Sequence, residues 1–111
     1  MESKTKTLVD YETESGRSPI REWFEDLEIA TLARVDARLK RVRMGNFGDF
    51  KSIGLGVNEL RFNFGSGYRI YFAQHGEEIV LLLCGGDKST QSNDIEQAKV
   101  YWSDFKRRNN A

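Results

Sequence analysis

The first half of the chain carries apolar residues at the spacing of amphipathic helices. Ser18 followed by Pro19 is typical of a helix start, because serine caps free N–H groups and proline has no N–H to satisfy. Apolar residues then recur three and four positions apart, which places them on one helical face. They form two runs: Ile20, Trp23, Phe24 and Leu27, then Leu32, Val35, Leu39 and Val42. The pattern predicts two helices, the second ending near Gly45.

The apolar period changes to two from Val57 onward. VNELRFNF and YRIYFAQ alternate in this way on either side of Gly65–Gly67, which predicts a β-hairpin. After a second turn at HGEE, the run IVLLLC is apolar on both faces and is typical of a central strand. The remaining expected elements are a short strand within residues 5–12, a glycine-rich loop over 44–56 and a helix over 92–108.

These elements describe a single small α+β domain over residues 1–111. The predicted order is β-α-α-β-β-β-α, with a helical hairpin on one face of a small, mainly antiparallel sheet and a helix at the C-terminus. A chain of 111 residues is long enough for one hydrophobic core and too short for two domains.

Alternation along the hairpin also sorts its side chains onto two faces, because residues two apart in a strand share a face. The apolar set, which should pack against the helices, is Leu60, Phe62, Phe64, Tyr68, Ile70 and Phe72. The opposite face should present Arg61, Asn63, Arg69 and Tyr71. Lys88 follows just beyond the end of the next strand. These cations and the tyrosine suit a phosphate and a stacked base.

Like charges crowded on a sheet are destabilising, so this face calls for a bound ligand or a compensating acid. Glu59 has the same parity as Arg61 and could be that acid. An ordinary polar sheet face is the alternative interpretation.

The distribution of charge favours an anionic partner, although the net charge is zero. Residues 34–72 hold eight lysines and arginines against three acids, whereas residues 1–33 hold four against eight. Within the basic segment, Arg38, Arg41 and Asn63 are candidates for binding RNA. A solvated helix face would give a similar composition.

Three features could suggest other chemistry and do not support it. GGDKST looks like the end of a phosphate-binding loop, but Asp87 separates Gly86 from Lys88 and the required spacing is absent. His75 lies in a turn, where a solvated position is expected. Cys84 lies in an apolar run with no histidine placed to activate it, so we expect a core position.

One cysteine and one histidine rule out an internal disulfide and a structural zinc set. We expect neither a metal nor a cofactor. The chain lacks a long apolar run and an apolar leader at its start, which favours the cytoplasm and argues against a membrane span or export.

The ordered set of motifs between Asn58 and Trp102 resembles a known family. The pieces are ELR, YRIYF, LLL-x-GGDK-x-TQ and DI-x-x-A, and the helix opened by Pro19 with FEDL soon after is also similar. They resemble the RelE/HigB-type toxins of bacterial type II toxin–antitoxin systems, in particular the phage-derived Gp49-like, or addiction module killer, group. That family has the same element order, which the periodicity predicts independently.

The resemblance implies a ribosome-dependent, metal-independent mRNA endonuclease that a small antitoxin holds inactive. In this family's chemistry the ribose 2′-OH attacks the adjacent phosphate while cations stabilise the transition state. By position, Arg69 matches the family's central phosphate-binding arginine, and Arg61 matches a cation facing the same phosphate. Lys88 matches the basic residue after the last strand. The implied partners are the ribosome, mRNA and an antitoxin, which we expect to be a small helix-turn-helix protein of the same operon.

The sequence departs from the family where an acid–base residue is expected. Nuclease members carry a tyrosine or histidine shortly after the last basic residue, but this chain has Asn93, Asp94 and Ile95 there. Tyr71 and Asp94 are the remaining candidates for proton transfer, and Asp94 could instead be a helix N-terminal acid favoured by the helix dipole. Glu59 stands where some relatives have a lysine. A gyrase inhibitor of the related ParE type and a non-catalytic binding module remain alternative functions.

Overall fold

A five-stranded sheet organises the chain, which the structure, a computed structural model, describes over residues 5–109. The strands are β1 (Thr7–Asp10), β2 (Phe50–Gly54), β3 (Val57–Arg61), β4 (Arg69–His75) and β5 (Ile79–Gly86). The helices are α1 (Pro19–Glu25), α2 (Ile29–Arg43) and α3 (Gln91–Asn109), with a 3-10 turn at Lys88–Thr90 before α3. The sheet order is β1-β5-β4-β3-β2. β1 pairs with β5 in parallel, and the other neighbouring strands are antiparallel.

The helix boundaries of the first half follow the local signals in the sequence. The Ser18 side chain accepts a hydrogen bond from the backbone N–H of Arg21, and Pro19 is the first residue of α1. α2 ends at Arg43, and the chain leaves it through Gly45, whose φ is +90°. Both predictions are confirmed.

The sheet contains one strand that the glycine-rich pattern does not predict. The loop expected over residues 44–56 is wrong for Phe50–Gly54, which form the edge strand β2 and pair with β3. The pairing is irregular between Ser52 and Gly54, and Leu55 then turns the chain with a φ of 56°. The observed order is therefore β-α-α-β-β-β-β-α. The α+β class and the mainly antiparallel sheet are confirmed.

Helices cover both faces of the sheet and produce two apolar cores. On one face, α1 and α2 pack against the apolar set of the β3–β4 hairpin, including Leu60 and Phe72. On the other face, Ala98 and Trp102 of α3 pack against the inner strands. The open polar face expected opposite the apolar set is therefore wrong over the part that α3 covers. The uncovered part is the end of the hairpin nearest its turn.

Within residues 5–109, no helix combines the length and the apolar character needed to cross a lipid bilayer.

Candidate functional site

A concavity of about 490 Å³ lies between the β3–β4 turn and the end of β5. Its lining includes four of the residues that the sequence singles out, which are Arg61, Asn63, Arg69 and Lys88. The backbone of the turn over residues 62–67 supplies most of the remaining wall, and Asp49 contributes a carboxylate. Three cations and one acid therefore face a space large enough for a phosphate group and part of a nucleotide.

Arg61 and Arg69 lie side by side because they are direct partners in the β3–β4 ladder. The Arg69 side chain is 12% exposed and its Nη1 donates a hydrogen bond to the Gly67 carbonyl at 2.6 Å. Arg61 is more open, at 37% exposure, and its Nε lies 3.9 Å from the Asp49 carboxylate. The turn thus fixes one guanidinium firmly and leaves the other more accessible.

Glu59 lies behind the two arginines as a buried carboxylate, 2% exposed. Its oxygens are 3.8 Å from Arg61 Nε and 3.3 Å from Arg69 Nε. It also accepts hydrogen bonds from Tyr71 Oη at 3.1 Å and from Gln91 Nε2 at 2.8 Å. The compensating acid expected from strand parity is therefore present.

Tyr71 does not reach the concavity. It is fully buried under α3, and its hydroxyl donates to Glu59. Burial, together with the neighbouring carboxylate of Glu59, raises the pKa of the Tyr71 hydroxyl far above its ordinary value. Its expected position on an open face is wrong, because parity identifies the face but not the element that covers it.

Lys88 is exposed at the rim of the concavity and is placed there by the turn before α3. Asp87 caps that turn by accepting hydrogen bonds from the Ser89 N–H at 2.9 Å and from Ser66 Oγ at 3.1 Å. The backbone N–H of Lys88 also donates to the Ser66 carbonyl at 3.3 Å. These contacts connect the end of β5 to the β3–β4 turn, which brings Lys88 beside Arg69.

Asp94 lies in the first turn of α3, outside the residues that line the concavity. It accepts a hydrogen bond from Thr90 Oγ1 at 2.5 Å. Burial raises the pKa of the Asp94 carboxyl. Gly86 permits this packing, because a Cβ there would lie 1.8 Å from Asp94 Oδ2.

Arg38 has a structural position that its charge does not reveal. Its guanidinium donates to the carbonyls of Phe47, Asp49 and Arg61 at 2.8–3.1 Å. Burial lowers the pKa of this guanidinium. With four of its five N–H donors engaged, Arg38 braces the backbone beside the site and has little capacity left for RNA.

Arg41 is exposed and lines a second concavity of about 340 Å³, together with Arg34 and Asn63. The guanidinium of Arg34 lies over the Phe64 ring at 3.8 Å. The second concavity shares Phe62, Asn63 and Phe64 with the first. The two are therefore adjacent along the hairpin turn.

The two other reactive side chains lie away from this surface. Cys84 is buried, and burial raises the pKa of its thiol to about 12, as expected for a core position. His75 ends β4 in an exposed position and packs against the rings of Trp102 and Phe105. Over residues 5–109, no group of three or more His, Cys, Asp or Glu side chains is placed to hold a metal ion.

Comparison with known proteins shows the family to which the chain belongs. Residues 22–105 match the family described as phage derived protein Gp49-like. This chain belongs to the Gp49-like family. A protein of Haemophilus influenzae titled only as uncharacterized is 49% identical over 79 residues, which span 70% of this chain and 80% of that protein. The Gp49-like family is associated with RelE-like toxins of toxin–antitoxin systems.

The Gp49-like match covers every residue of the concavity and excludes β1 and the cap of α1. Sequence reasoning missed Asp49 and Gln91 in this region. Asp49 lies in the segment expected to be a loop, and nothing in its spacing marks it. Gln91 begins α3, and only the packing of α3 on the sheet brings it to Glu59.

Proposed function

We propose that this Gp49-like chain is the toxin of a type II toxin–antitoxin system and acts as a ribosome-dependent mRNA endonuclease. The observation that supports it most is the convergence of Arg61, Arg69 and Lys88 on one concavity. Membership of the Gp49-like family, which is associated with RelE-like toxins, supports the same proposal. Such an enzyme would act in the cytoplasm, where translation takes place.

The proposed reaction draws its positive charge from side chains and needs no metal. The ribose 2′-oxygen attacks the adjacent phosphorus, a P–O2′ bond forms and the P–O5′ bond breaks, which leaves a 2′,3′-cyclic phosphate and a 5′-hydroxyl. Arg61 and Arg69 stabilise the extra negative charge of the pentavalent transition state, and the Lys88 ammonium donates the proton that turns the leaving 5′-oxygen into the 5′-hydroxyl. Each positioned cation is expected to lower the barrier by about 2–4 kcal/mol.

Asp49 is the proposed acceptor of the 2′-hydroxyl proton. It supplies the carboxylate that lines the concavity, and half of its side chain is exposed. A general base must come within hydrogen-bond reach of the proton it removes. Tyr71 and Asp94, the candidates from sequence, do not line this space, and the Tyr71 hydroxyl already donates a hydrogen bond to Glu59.

The proposed partners follow from the exposed cations. The mRNA strand would continue from the first concavity along the turn toward Arg41 and Asn63 in the second. The antitoxin would be a small helix-turn-helix protein encoded in the same operon, and it would cover the cationic concavity. The ribosome would present the codon and hold the mRNA in place.

The test compares the wild type with Arg69→Ala and Lys88→Ala in a reconstituted translation reaction with mapping of mRNA ends. Loss of one cation should reduce cleavage on the order of 100-fold, corresponding to about 2.7 kcal/mol. Lys88 is exposed, so its variant should keep the fold. Arg107→Ala, an exposed arginine at the far end of α3, is the matched control and should cut like the wild type.

Three results would contradict the proposal. Continued translation without cuts at codons would reject the nuclease. Breaks in DNA without RNA cleavage would favour a gyrase inhibitor of the ParE type. The absence of any growth defect on induction would favour a non-catalytic binding module.

A further inference from the structure

Glu59 is a charged side chain in a position that normally excludes charge. It is 2% exposed, and within residues 5–109 it is the carboxylate among the fully buried side chains. Ionised carboxylates are rarely buried unless they are paired and hydrogen-bonded. Glu59 must therefore be understood through its partners.

The two oxygens of Glu59 have different partners. Oε1 lies 3.8 Å from Arg61 Nε, and Oε2 lies 3.3 Å from Arg69 Nε. Oε2 also accepts the hydrogen bonds from Tyr71 and Gln91. One carboxylate thus joins β3, β4 and the first residue of α3.

The contacts with the arginines are electrostatic and not hydrogen bonds. The Nε atoms of Arg61 and Arg69 are buried, and within residues 5–109 neither has a hydrogen-bond partner. A guanidinium is a planar fork, so an Nε edge held against Glu59 directs the Nη edge away from it. Both arginines also line the concavity.

Adjacent guanidiniums on paired strands repel each other in the absence of an anion. A bound phosphate would relieve the repulsion, but only while it is present. A buried carboxylate relieves it permanently and keeps both side chains in one arrangement before the ligand arrives. Such preorganisation favours a transition state over loose ground-state binding.

We propose that Glu59 is a positioning residue that orients Arg61 and Arg69 toward a phosphodiester of single-stranded RNA and weakens their ground-state affinity for it. The proposal rests on the proposed nuclease function. Glu59 acts through the arginines and is not a catalytic residue, because a side chain so buried cannot touch the ribose.

Two substitutions separate the effect of the Glu59 charge from the effect of its side-chain length. Glu59→Gln keeps the length and removes the charge, whereas Glu59→Asp keeps the charge and shortens the side chain. Glu96→Gln, at an exposed glutamate of α3, is the matched control. Circular dichroism melting first defines a temperature at which all four proteins are folded, so that the later measurements compare folded states.

Three readouts are then made. The affinity for a fluorescent, 2′-O-methyl single-stranded RNA oligonucleotide reports ground-state binding without cleavage. The cut rate at saturating toxin in the translation reaction reports the chemical step. Nuclear magnetic resonance of the arginine Nε–Hε groups reports the order of Arg61 and Arg69 and requires no RNA.

Glu59→Gln should bind the oligonucleotide at least about threefold more tightly, because a negative charge near the phosphate is removed. It should cut on the order of tenfold more slowly, because the guanidiniums lose their orientation. Glu59→Asp should keep the affinity for the oligonucleotide within about twofold. Its cut rate should fall by about the same factor as that of Glu59→Gln. In both variants the Nε–Hε signals of Arg61 and Arg69 should lose their protection from exchange.

Opposite shifts in affinity and rate are the distinguishing result, since partial unfolding would lower both. Unchanged Nε–Hε signals in Glu59→Gln would overturn the positioning role, and so would weaker RNA binding in parallel with the rate. If the wild type cuts no RNA but the signals and the affinity change as expected, the nuclease function fails and the orientation of the arginines by Glu59 stands.

Discussion

The two faces of the β3–β4 hairpin share a backbone and differ in what covers them. On the apolar face, Leu60, Phe62, Ile70 and Phe72 are all buried beneath α1 and α2. On the polar face, exposure rises from 2% for Glu59 to 12% for Arg69 and 37% for Arg61. At these positions the apolar face is closed, while the polar face opens toward the hairpin turn.

The difference shows how one strand pair can serve both stability and binding. α3 closes the polar face over Tyr71 and Glu59 but does not extend over the end where Arg61 and Arg69 meet the turn. The buried end holds the acid, and the open end holds the cations. Burial of a charge normally destabilises a protein. Here the buried charge is the Glu59 carboxylate, and four side chains surround it, those of Arg61, Arg69, Tyr71 and Gln91.

Neighbouring residues of β3 test this contrast most strongly. Leu60→Ala should lower the free energy of unfolding by about 2–5 kcal/mol, because it leaves a cavity in a closed core. Arg61→Ala should lower it by about 1 kcal/mol or less, because its charge is partly solvated. Urea denaturation followed by circular dichroism measures both. Equal losses would mean that the polar face is as closed as the apolar one.

The two glycines at the end of β5 provide a second contrast. Gly85 packs against α1 on one face of the sheet, and Gly86 packs against α3 on the other. A Cβ on Gly85 would lie 2.4 Å from the Trp23 ring, and one on Gly86 would lie 1.8 Å from Asp94 Oδ2. Gly85→Ala should destabilise by about 1–3 kcal/mol, because a packed ring cannot move aside easily. Gly86→Ala should cost less, because a carboxylate at the end of a side chain can rotate.

A double substitution checks the reason for that difference. Asp94→Ala should recover most of the stability lost in Gly86→Ala and none of that lost in Gly85→Ala, as measured by thermal unfolding. Recovery in both backgrounds, or in neither, would show that the contact with Asp94 does not set the cost at Gly86.

The smallest expected effect is on the pH dependence of stability. It concerns two acids, Asp94 in the first turn of α3 and Asp87 in the turn before it. Burial raises the pKa of Asp94, so the folded state holds this proton more tightly than the unfolded chain does. Its contribution to stability therefore falls as pH rises from the ordinary carboxyl pKa through the raised one. Asparagine does not titrate, so Asp94→Asn should become more stable relative to the wild type as pH rises through this range.

Asp87 is the matched control because its shift has the opposite sign. The hydrogen bond from the Ser89 side chain is the largest cause that lowers the pKa of this carboxyl. The stability it provides is present above its unfolded pKa and is lost as pH falls through the folded one. Asp87→Asn should therefore lose stability relative to the wild type as pH rises. Denaturation from about pH 3 to 7 measures both trends, and trends of the same sign would contradict the assignment.

Much of the fold was accessible from local signals. The cap formed by Ser18 and Pro19 and the alternation after Val57 depend on neighbours in sequence, and both are confirmed. β2 was not accessible, because FKSIG has no clear alternation and pairs through an irregular register at the sheet edge. Its strand character comes from β3 and not from its own composition.

The site was accessible in part for the same physical reason. Alternation placed Arg61, Arg69 and Glu59 on one face, because the backbone alone determines it. The burial of Tyr71 depends on where α3 crosses the sheet, and the hydrogen bonds of Arg38 depend on the path of the chain through residues 47–49. Neither is visible in the spacing of residues. The roles in catalysis stay predictions.

The parallel pairing of β1 with β5 has a consequence for synthesis. Thr7 pairs with Ile79, so β1 leaves the ribosome long before β5, the strand with which it pairs. Closing so long a segment is entropically unfavourable, and the local contacts of the β3–β4–β5 meander can form first. Gln91, which completes the shell around Glu59, emerges later still. A nascent chain therefore cannot complete its cationic concavity and the shell behind it until the residues through Gln91 have been made.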